Sequence, residues 1–307
     1  MQAQTQAPRW QTLLAFAIIY FVWGSTFLAI RVGVHEVPPF LFAALRFLVA
    51  GGALFGWMLA KGEPIPTPRQ WASISLIAIL IFVCDYGLLF WAEQRIPSGI
   101  AAVMMATIPA FMALAEIVFL RTQRLTPRLV LALAIGLGGV AVLMLPTLHL
   151  GDQPIDHTGA IFCLIGAVTW SIASALSRKL PLPKSKPLNS GAQMLAGGVF
   201  LALTSASLGE FRSFHPATVS TNAWLALVYL IGPGSIIGFT AYVWLLSHHS
   251  PTKVGTYAYV NPVVAVLLGF FVAGEALGPR TILGTLCVLV SVLVITTTRS
   301  KTSAAVD

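Results

Sequence analysis

The sequence contains long intervals without any charged residue, and these intervals limit what the chain can fold into. Seven of them lie between consecutive charged residues, from Arg9–Arg31 near the amino terminus to Arg280–Arg299 near the carboxy terminus. Each holds roughly the 20 apolar residues that a helix needs to cross the hydrocarbon core of a bilayer. A helix at the surface of a soluble domain keeps a polar face, so these intervals predict an all-α integral membrane protein.

The composition agrees with this prediction. Hydrophobic residues make up 57% of the 307 residues and charged residues only 9%, whereas soluble chains carry about 25% charged residues. The net charge of +8 comes from loop residues, so we interpret it as a topology signal and expect no nucleic-acid partner. The sequence has no P-loop and no H-E-x-x-H or G-x-S-x-G motif, so we expect neither ATP hydrolysis nor another enzyme activity, and no metal or cofactor.

Prolines separate the apolar stretches and divide the chain into ten predicted transmembrane helices. Examples are Pro97, Pro127 and Pro279, each at the start of a stretch. The predicted spans are 12–34, 39–60, 70–91, 97–119, 126–146, 157–178, 188–208, 222–247, 252–272 and 279–298.

The basic residues predict the orientation of these helices. With ten crossings, thirteen Lys and Arg fall on the side of both termini and only four on the other side. Because cytoplasmic loops carry the excess of Lys and Arg, both termini are predicted to be cytoplasmic.

The two halves of the chain resemble each other. Arg46 precedes Phe-Leu-Val-Ala-Gly-Gly in helix 2, and Gln193 precedes Met-Leu-Ala-Gly-Gly in helix 7. We predict two five-helix repeats, residues 12–146 and 157–298, with cytoplasmic tails 1–11 and 299–307. An odd number of helices places the repeats in opposite orientations, as in secondary transporters whose substrate site lies between the repeats. Chance similarity between apolar segments is the alternative.

Four segments resemble the EamA family of the drug/metabolite transporter superfamily. They are WGSTFLAIR at Trp23–Arg31, ALRFLVAGG around Arg46, PSGIAAVMMATIPAFMAL from Pro97 and NPVVAVLLGFFVAGEALGPR from Asn261. The resemblance covers nearly the whole chain. It implies ten helices in two inverted repeats around a central cavity, and an exporter of small metabolites or amino acids in the bacterial inner membrane. The sequence leaves open whether the protein is a monomer or a homodimer. One departure is Arg121-Thr122, which stands where the family often has an acidic residue.

Two charged residues, Arg46 and Asp85, lie about six or seven residues from the nearer ends of their predicted helices. A buried charge is costly in a membrane and usually faces a partner or a wet cavity. Arg46 and Asp85 are at similar depth, so they form either a structural ion pair or part of the cavity. In the cavity, Arg46 would hold a substrate carboxylate and Asp85 an amine or a proton. Two further acids, Glu116 near Arg121 and Glu275 near Arg280, are predicted to make local ion pairs or gate contacts.

Aromatic residues supply the other candidate cavity residues. Trp23 and Trp170 are near the middles of helices 1 and 6, the first helices of the two repeats, where they either pack or line a cavity. Tyr257 and Asn261 share one face of helix 9 and either bind substrate or satisfy backbone groups freed by the neighbouring proline. The remaining candidates are Tyr86 and Tyr242.

Prolines inside the predicted helices mark possible moving parts. Pro109 in helix 4, Pro233 in helix 8 and Pro262 in helix 9 each remove a backbone donor, which gives either a gate or a static bend. The pairs Gly51-Gly52 and Gly197-Gly198 predict close helix contact.

The sequence favours a secondary transporter that exports small metabolites, with neutral or aromatic amino acids as the preferred substrates. An exporter of drugs or other metabolites is the alternative, and a membrane sensor or channel is a more distant one. Proton coupling and facilitated diffusion both stay open.

Overall fold

The computed structural model of the chain describes residues 8–120, 126–144, 156–248, 254 and 257–297. Within these residues the regular structure is helical and contains no strand. The long helices are α1 Arg9–Val34, α2 Pro39–Ala60, α3 Pro68–Glu93, α4 Ser98–Leu120, α5 Pro127–Met144, α6 His157–Leu176, α7 Lys186–Ser207, α8 Thr221–Leu245, α9 Tyr257–Ala273 and α10 Pro279–Thr297. A short helix, Glu210–Ser213, follows α7, and α8 continues to His248.

The helix bounds agree with the predicted spans to within a few residues over the described part of the chain. The predicted span 252–272 is the exception, because α9 begins at Tyr257 and residues 251–253 and 255–256 lie outside the described residues. Six helices, α1 to α4, α6 and α8, are long and apolar enough to cross a membrane. The described parts of α5, α9 and α10 form shorter apolar helices.

Local sequence explains where several helices begin. Proline occupies the first turn of α2 and α3, where its missing N–H would have had no helical partner. In front of α3, Thr67 and Gln70 form a reciprocal capping box. Asp156 caps α6 and Ser220 caps α8, each through its side-chain oxygen.

The helices expose many large apolar residues on the outside and bury several charged residues within an otherwise apolar core. Phe271 is 76% exposed and Leu13 is 70% exposed, and many other large apolar side chains cover the outside. Arg46, Asp85 and Glu93 are each at most 2% exposed. Exposed apolar area of this extent is unfavourable in water and favourable in lipid, as expected of a membrane protein.

Helices α2 and α7 pack with their backbones in contact, as the glycine pairs predicted. A Cβ atom added at Gly51 would lie 2.7 Å from the carbonyl carbon of Met194. One added at Gly198 would lie 2.6 Å from the backbone nitrogen of Leu48. Gly52 faces open space, so only one glycine of the first pair is needed for this contact.

Several helices contain π-helical turns, and one is broken. The π-helical segments are Ile18–Val22 in α1, Ile79–Gly87 in α3, Glu116–Leu120 in α4 and Leu230–Ile237 in α8. Helix α4 is interrupted at Ala106 and Thr107, just before Pro109. Below, the end of the bundle at which α1 begins is called the proximal end, and the end at which α1 finishes is called the distal end.

Candidate functional site

Five aromatic side chains from α1, α3, α6, α8 and α9 meet at the centre of the bundle. The ring of Trp23 lies 5.1 Å from that of Tyr242 and 5.4 Å from that of Tyr257, measured between centroids. Trp170 lies 6.1 Å from Trp23 and 6.0 Å from Tyr86. The structure therefore brings together all five aromatic residues that the sequence placed at a cavity, and we call them the aromatic cluster.

The π-helical turns of α1 and α8 help to position this cluster. The segment in α1 ends immediately before Trp23, and the segment in α8 contains Gly234. The Trp23 indole Nε1 donates a hydrogen bond to the backbone oxygen of Gly234 at 3.1 Å. The indole N–H of Trp23 is thus satisfied by a backbone oxygen in a π-helical turn. Turns of this kind often occur at functional sites.

Asn261 links α9 to the π-helical turn of α1. Its amide orientation follows from its neighbours: the nitrogen donates to the backbone oxygens of Ile19 at 3.1 Å, Tyr20 at 2.9 Å and Tyr257 at 3.2 Å. The sequence left open whether Asn261 binds substrate or satisfies backbone groups. In the structure its nitrogen satisfies backbone carbonyls, while the residue also borders the central cavity.

Asp85 is buried with an unsatisfied oxygen. The residue is 2% exposed, and its Oδ1 has no hydrogen-bond partner among the described residues. Helix α6 makes room for it at Gly166, where an added Cβ would lie 2.8 Å from Oδ1. Burying a polar group without a hydrogen-bond partner is unfavourable in free energy. A ligand that donates a hydrogen bond to Asp85 would remove this penalty.

Arg46 contacts other residues, and among the described residues it makes no ion pair with Asp85, which was one of the two alternatives for this residue. Its Nε donates to the hydroxyl of Ser235 at 2.8 Å. The guanidinium carbon lies 4.7 Å from the ring centroid of Phe47, 5.1 Å from that of Tyr86 and 5.9 Å from that of Phe90. Its side chain points to α8 and these rings, and it is only 1% exposed.

Two cavities lie on either side of Tyr242. The central cavity has a volume of about 60 Å³ and is lined by Trp23, Asp85, Tyr86, Trp170, Tyr257 and Asn261 together with apolar side chains. The second cavity, here called the vestibule, has a volume of about 470 Å³ and lies at the proximal end. Tyr242 borders the vestibule and packs against Trp23, Trp170 and Tyr257, so its ring stands between the two spaces.

The vestibule has a polar wall that the sequence analysis missed. Asn189 and Gln193 on α7 are buried, and the Gln193 amide donates to Asn189 Oδ1 at 2.9 Å. Their spacing of four residues was the available signal, but α7 was considered only for its glycines. Glu116, also in this wall, is 4.0 Å from Arg178. The partners predicted for Glu116, Arg121 and Arg124, lie outside the described residues.

The distal end is closed by a group of contacts around Glu275, which we call the distal latch. The Glu275 carboxylate accepts hydrogen bonds from the Ser98 N–H at 2.9 Å, the Ser98 hydroxyl at 2.7 Å and the Gly99 N–H at 3.2 Å. Its Oε1 lies 3.2 Å from Arg31 Nε. Glu275 therefore joins the loop after α9 to the start of α4 and the end of α1, and its ion-pair partner is Arg31 where the sequence suggested Arg280.

Two further carboxylates tie loops together at the distal end. Glu36 accepts hydrogen bonds from the Ser220 N–H at 2.6 Å and hydroxyl at 2.7 Å, which lowers the pKa of Glu36. Glu210 accepts one from the Leu41 N–H at 2.8 Å, at the start of α2. These bonds hold α2 and α8 to neighbouring loops at the end opposite the vestibule.

Glu93 is a buried acid that the sequence analysis placed in a loop. Helix α3 continues through it, the residue is 0% exposed, and neither carboxyl oxygen has a hydrogen-bond partner among the described residues. It lies within electrostatic range of Arg31, Arg46 and Glu275.

The three interior prolines have different surroundings. Pro109 follows the break in α4, and Pro233 lies within the π-helical turn of α8. Pro262 lies inside α9, which continues past it without interruption, and borders the central cavity. Two of the three therefore sit at irregular backbone.

Comparisons with known proteins agree on one family. The EamA-like transporter family matches residues 10–145 and 157–297. The Escherichia coli strain K12 inner membrane transporter YedA is 38% identical over 266 residues, covering 86% of this chain and 83% of YedA. The Bacillus subtilis strain 168 transporter YoaV is 24% identical, covering 95% and 98% of the two chains. A solved crystal structure with 25% identity covers 94% of this chain and 98% of its own, with a TM-score of 0.64.

Proposed function

Because this chain belongs to the EamA-like transporter family, we propose that it exports small metabolites across the bacterial inner membrane by alternating access. The observation that carries the proposal is the arrangement of the two cavities. A vestibule opens toward one end, a small cavity lies at the centre, and hydrogen-bonded carboxylates join the loops at the other end. A transporter that exposes its site to one side at a time needs an open path on one side and a closure on the other.

The packing of the helices supports the two inverted repeats of the proposal. Helices of the same rank in residues 12–146 and 157–298 contact each other directly. The contacts join Trp23 to Trp170, Gly51 to Met194, Phe82 to Phe239, Gly99 to Val266 and Gly139 to Cys287. A pseudo-two-fold axis between the repeats brings equivalent helices together near that axis, so we propose ten crossings with the substrate site at the repeat interface.

The distribution of basic residues supports an orientation for this arrangement. The proximal end carries Lys184 and Lys186 at the vestibule, and it is the end that the sequence assigns to the cytoplasm. In this orientation both termini are cytoplasmic, the vestibule faces the cytoplasm and the distal latch faces the outside. A cytoplasmic substrate would enter through the vestibule and reach the aromatic cluster by displacing the Tyr242 ring.

The chemistry of the central cavity supports substrates that carry an amine and an apolar body. Asp85 would accept the amine, and the rings of Trp23, Trp170 and Tyr257 would pack against the rest of the molecule. Neutral and aromatic amino acids have both groups, so we propose them as the first class to test. Amine-containing drugs and other metabolites are the alternative. Every residue of this site comes from one chain, so the proposal needs no second subunit.

The test is efflux from proteoliposomes loaded with tritiated phenylalanine, leucine or phenethylamine. Saturable efflux above that of protein-free liposomes is expected for at least one of them. The same measurement with and without a pH gradient distinguishes coupled from uncoupled transport. If protein that elutes as a single species from size exclusion releases none of the three, the proposed class of substrate is wrong.

A further inference from the structure

We propose that the central cavity selects small apolar or aromatic amines that lack a carboxylate over the amino acids with the same side chain. This inference rests on the proposed function and, between its two substrate classes, favours the amines over the amino acids. It follows from the charges and rings that border the cavity, and from the position of the single arginine buried nearby.

The first argument is the sign of the charge in the cavity. Asp85 is the one residue with a formal charge among the described residues that line it. Its Oδ1 is buried and has no hydrogen-bond partner in the described structure. An ammonium group would supply both a hydrogen-bond donor and the opposite charge, and charge-assisted hydrogen bonds are the stronger kind.

The second argument is the nature of the walls. Trp23, Tyr86, Trp170 and Tyr257 all border the cavity. Aromatic faces attract cations through their quadrupole, and they pack against apolar groups. For a carboxylate the walls offer the neutral indole N–H of Trp170, which has no hydrogen-bond partner in the described structure, but no cationic side chain, while the ring faces and Asp85 repel its negative charge.

The third argument concerns Arg46, the residue that the sequence offered for a substrate carboxylate. Arg46 does not border the central cavity or the vestibule. Rings of Phe47, Tyr86 and Phe90 surround its guanidinium group and Ser235 holds its Nε, so its Nη1, which has no hydrogen-bond partner in the described structure, lies outside the cavity lining. A carboxylate bound beside Asp85 would therefore lose its hydration without gaining a cationic partner.

The size of the cavity fits entry by the amine end of a molecule. Its volume of about 60 Å³ is much smaller than the 470 Å³ of the vestibule, so the small ammonium end of a molecule enters it more readily than the whole molecule. The body of the molecule requires displacement of Tyr242, which separates this space from the vestibule of about 470 Å³. The amine would then reach Asp85 first, with the apolar body between the rings.

The experiment compares three ligands that share one phenyl ring. Phenethylamine has the amine alone, phenylalanine has amine and carboxylate, and phenylacetate has the carboxylate alone. Binding of each tritiated compound to purified protein is measured by scintillation proximity, separately from the efflux assay. Phenethylamine is expected to bind at least about tenfold more tightly than phenylalanine, the factor for about 1.4 kcal/mol, and phenylacetate is expected not to bind.

Each outcome of the binding experiment either supports or overturns the inference. Phenylalanine binding as tightly as phenethylamine, or binding of phenylacetate, would overturn the inference, because the carboxylate would then have a favourable partner. Absence of phenethylamine binding would overturn it as well. Phenethylamine binding without transport of any of the three compounds would uphold the inference while contradicting the proposed function.

Variants test the role of Asp85. Asp85→Asn is expected to weaken phenethylamine binding by at least about tenfold. Glu63→Gln, in the loop between α2 and α3, removes the same charge away from the cavity and is expected to leave binding unchanged. If Asp85→Asn does not fold, the comparison of the three ligands on the unaltered protein still decides the question. Equal binding by well-folded Asp85→Asn and the unaltered protein would refute the assignment.

Discussion

Neutralising Glu275 should open the distal end of the protein. In Glu275→Gln the side chain keeps its shape but loses its charge, so the ion pair with Arg31 at 3.2 Å disappears. The two hydrogen bonds from Ser98 become neutral ones, and the bond from the Gly99 N–H is lost because an amide nitrogen cannot accept it; each change costs about 1 kcal/mol. With less than 1 kcal/mol for the partly exposed ion pair, the closed state should lose about 2–4 kcal/mol.

This loss translates into a large change in the ratio of closed to open molecules. At about 1.4 kcal/mol per tenfold, the ratio should fall by roughly 30- to 700-fold. The effect depends on the latch being absent from the open state, because a contact that both states make shifts no population.

Thiol labelling measures the opening directly. Ala102 lines the central cavity and is 2% exposed, so Ala102→Cys in a chain whose three native cysteines are replaced provides the reporter. A membrane-impermeant maleimide is added from the side of the distal end. Labelling should be at least tenfold faster with Glu275→Gln than without it, while Glu63→Gln should have no effect. Equal rates in all three backgrounds would show that Glu275 does not hold the distal end closed.

Three further predictions follow from described contacts. Gly51→Ala should lower stability by about 1–3 kcal/mol because its Cβ would meet the backbone of α7, whereas Gly52→Ala should be neutral or mildly stabilising; equal melting temperatures in detergent would contradict this. Tyr242→Ala should speed labelling of the central cavity from the vestibule side, and Tyr242→Phe should keep the slow rate, since the ring and not the hydroxyl separates the cavities. The lowered pKa of Glu36 stabilises the fold above the ordinary glutamate pKa of 4.5, and this stabilisation is lost as the pH falls through the lower folded value. Glu36→Gln should therefore lose less melting temperature on acidification below pH 4.5 than the unaltered protein, and an identical loss would argue against the contact with Ser220.

Much of the fold was predictable because lipid imposes simple rules. Charge-free stretches and their flanking prolines gave helix bounds that agree with the structure to within a few residues, apart from the start of α9. Trp23 and Trp170 were predicted near the middles of their helices, where they either pack or line a cavity, and their ring centroids lie 6.1 Å apart.

The partner of Arg46 was not predictable, because depth along a helix does not tell which neighbour a side chain faces. Arg46 and Asp85 are at similar depth, yet Arg46 turns to Ser235 on α8, and Asp85 lies against Gly166 on α6. Glu93 was missed because the predicted third helix ended at residue 91. The π-helical turn in that helix cannot be recognised from an apolar sequence.

The backbone contact between α2 and α7 has a mechanical consequence. The two helices belong to different halves of the chain and touch where Gly51 meets Met194 and where Gly198 meets Leu48. Separating them would open a gap that no side chain is present to fill, whereas rotating one against the other keeps the surfaces together. In the proposed alternating access, the two halves would therefore rotate about this pair of helices, and the parts of the molecule farthest from it would move the greatest distance.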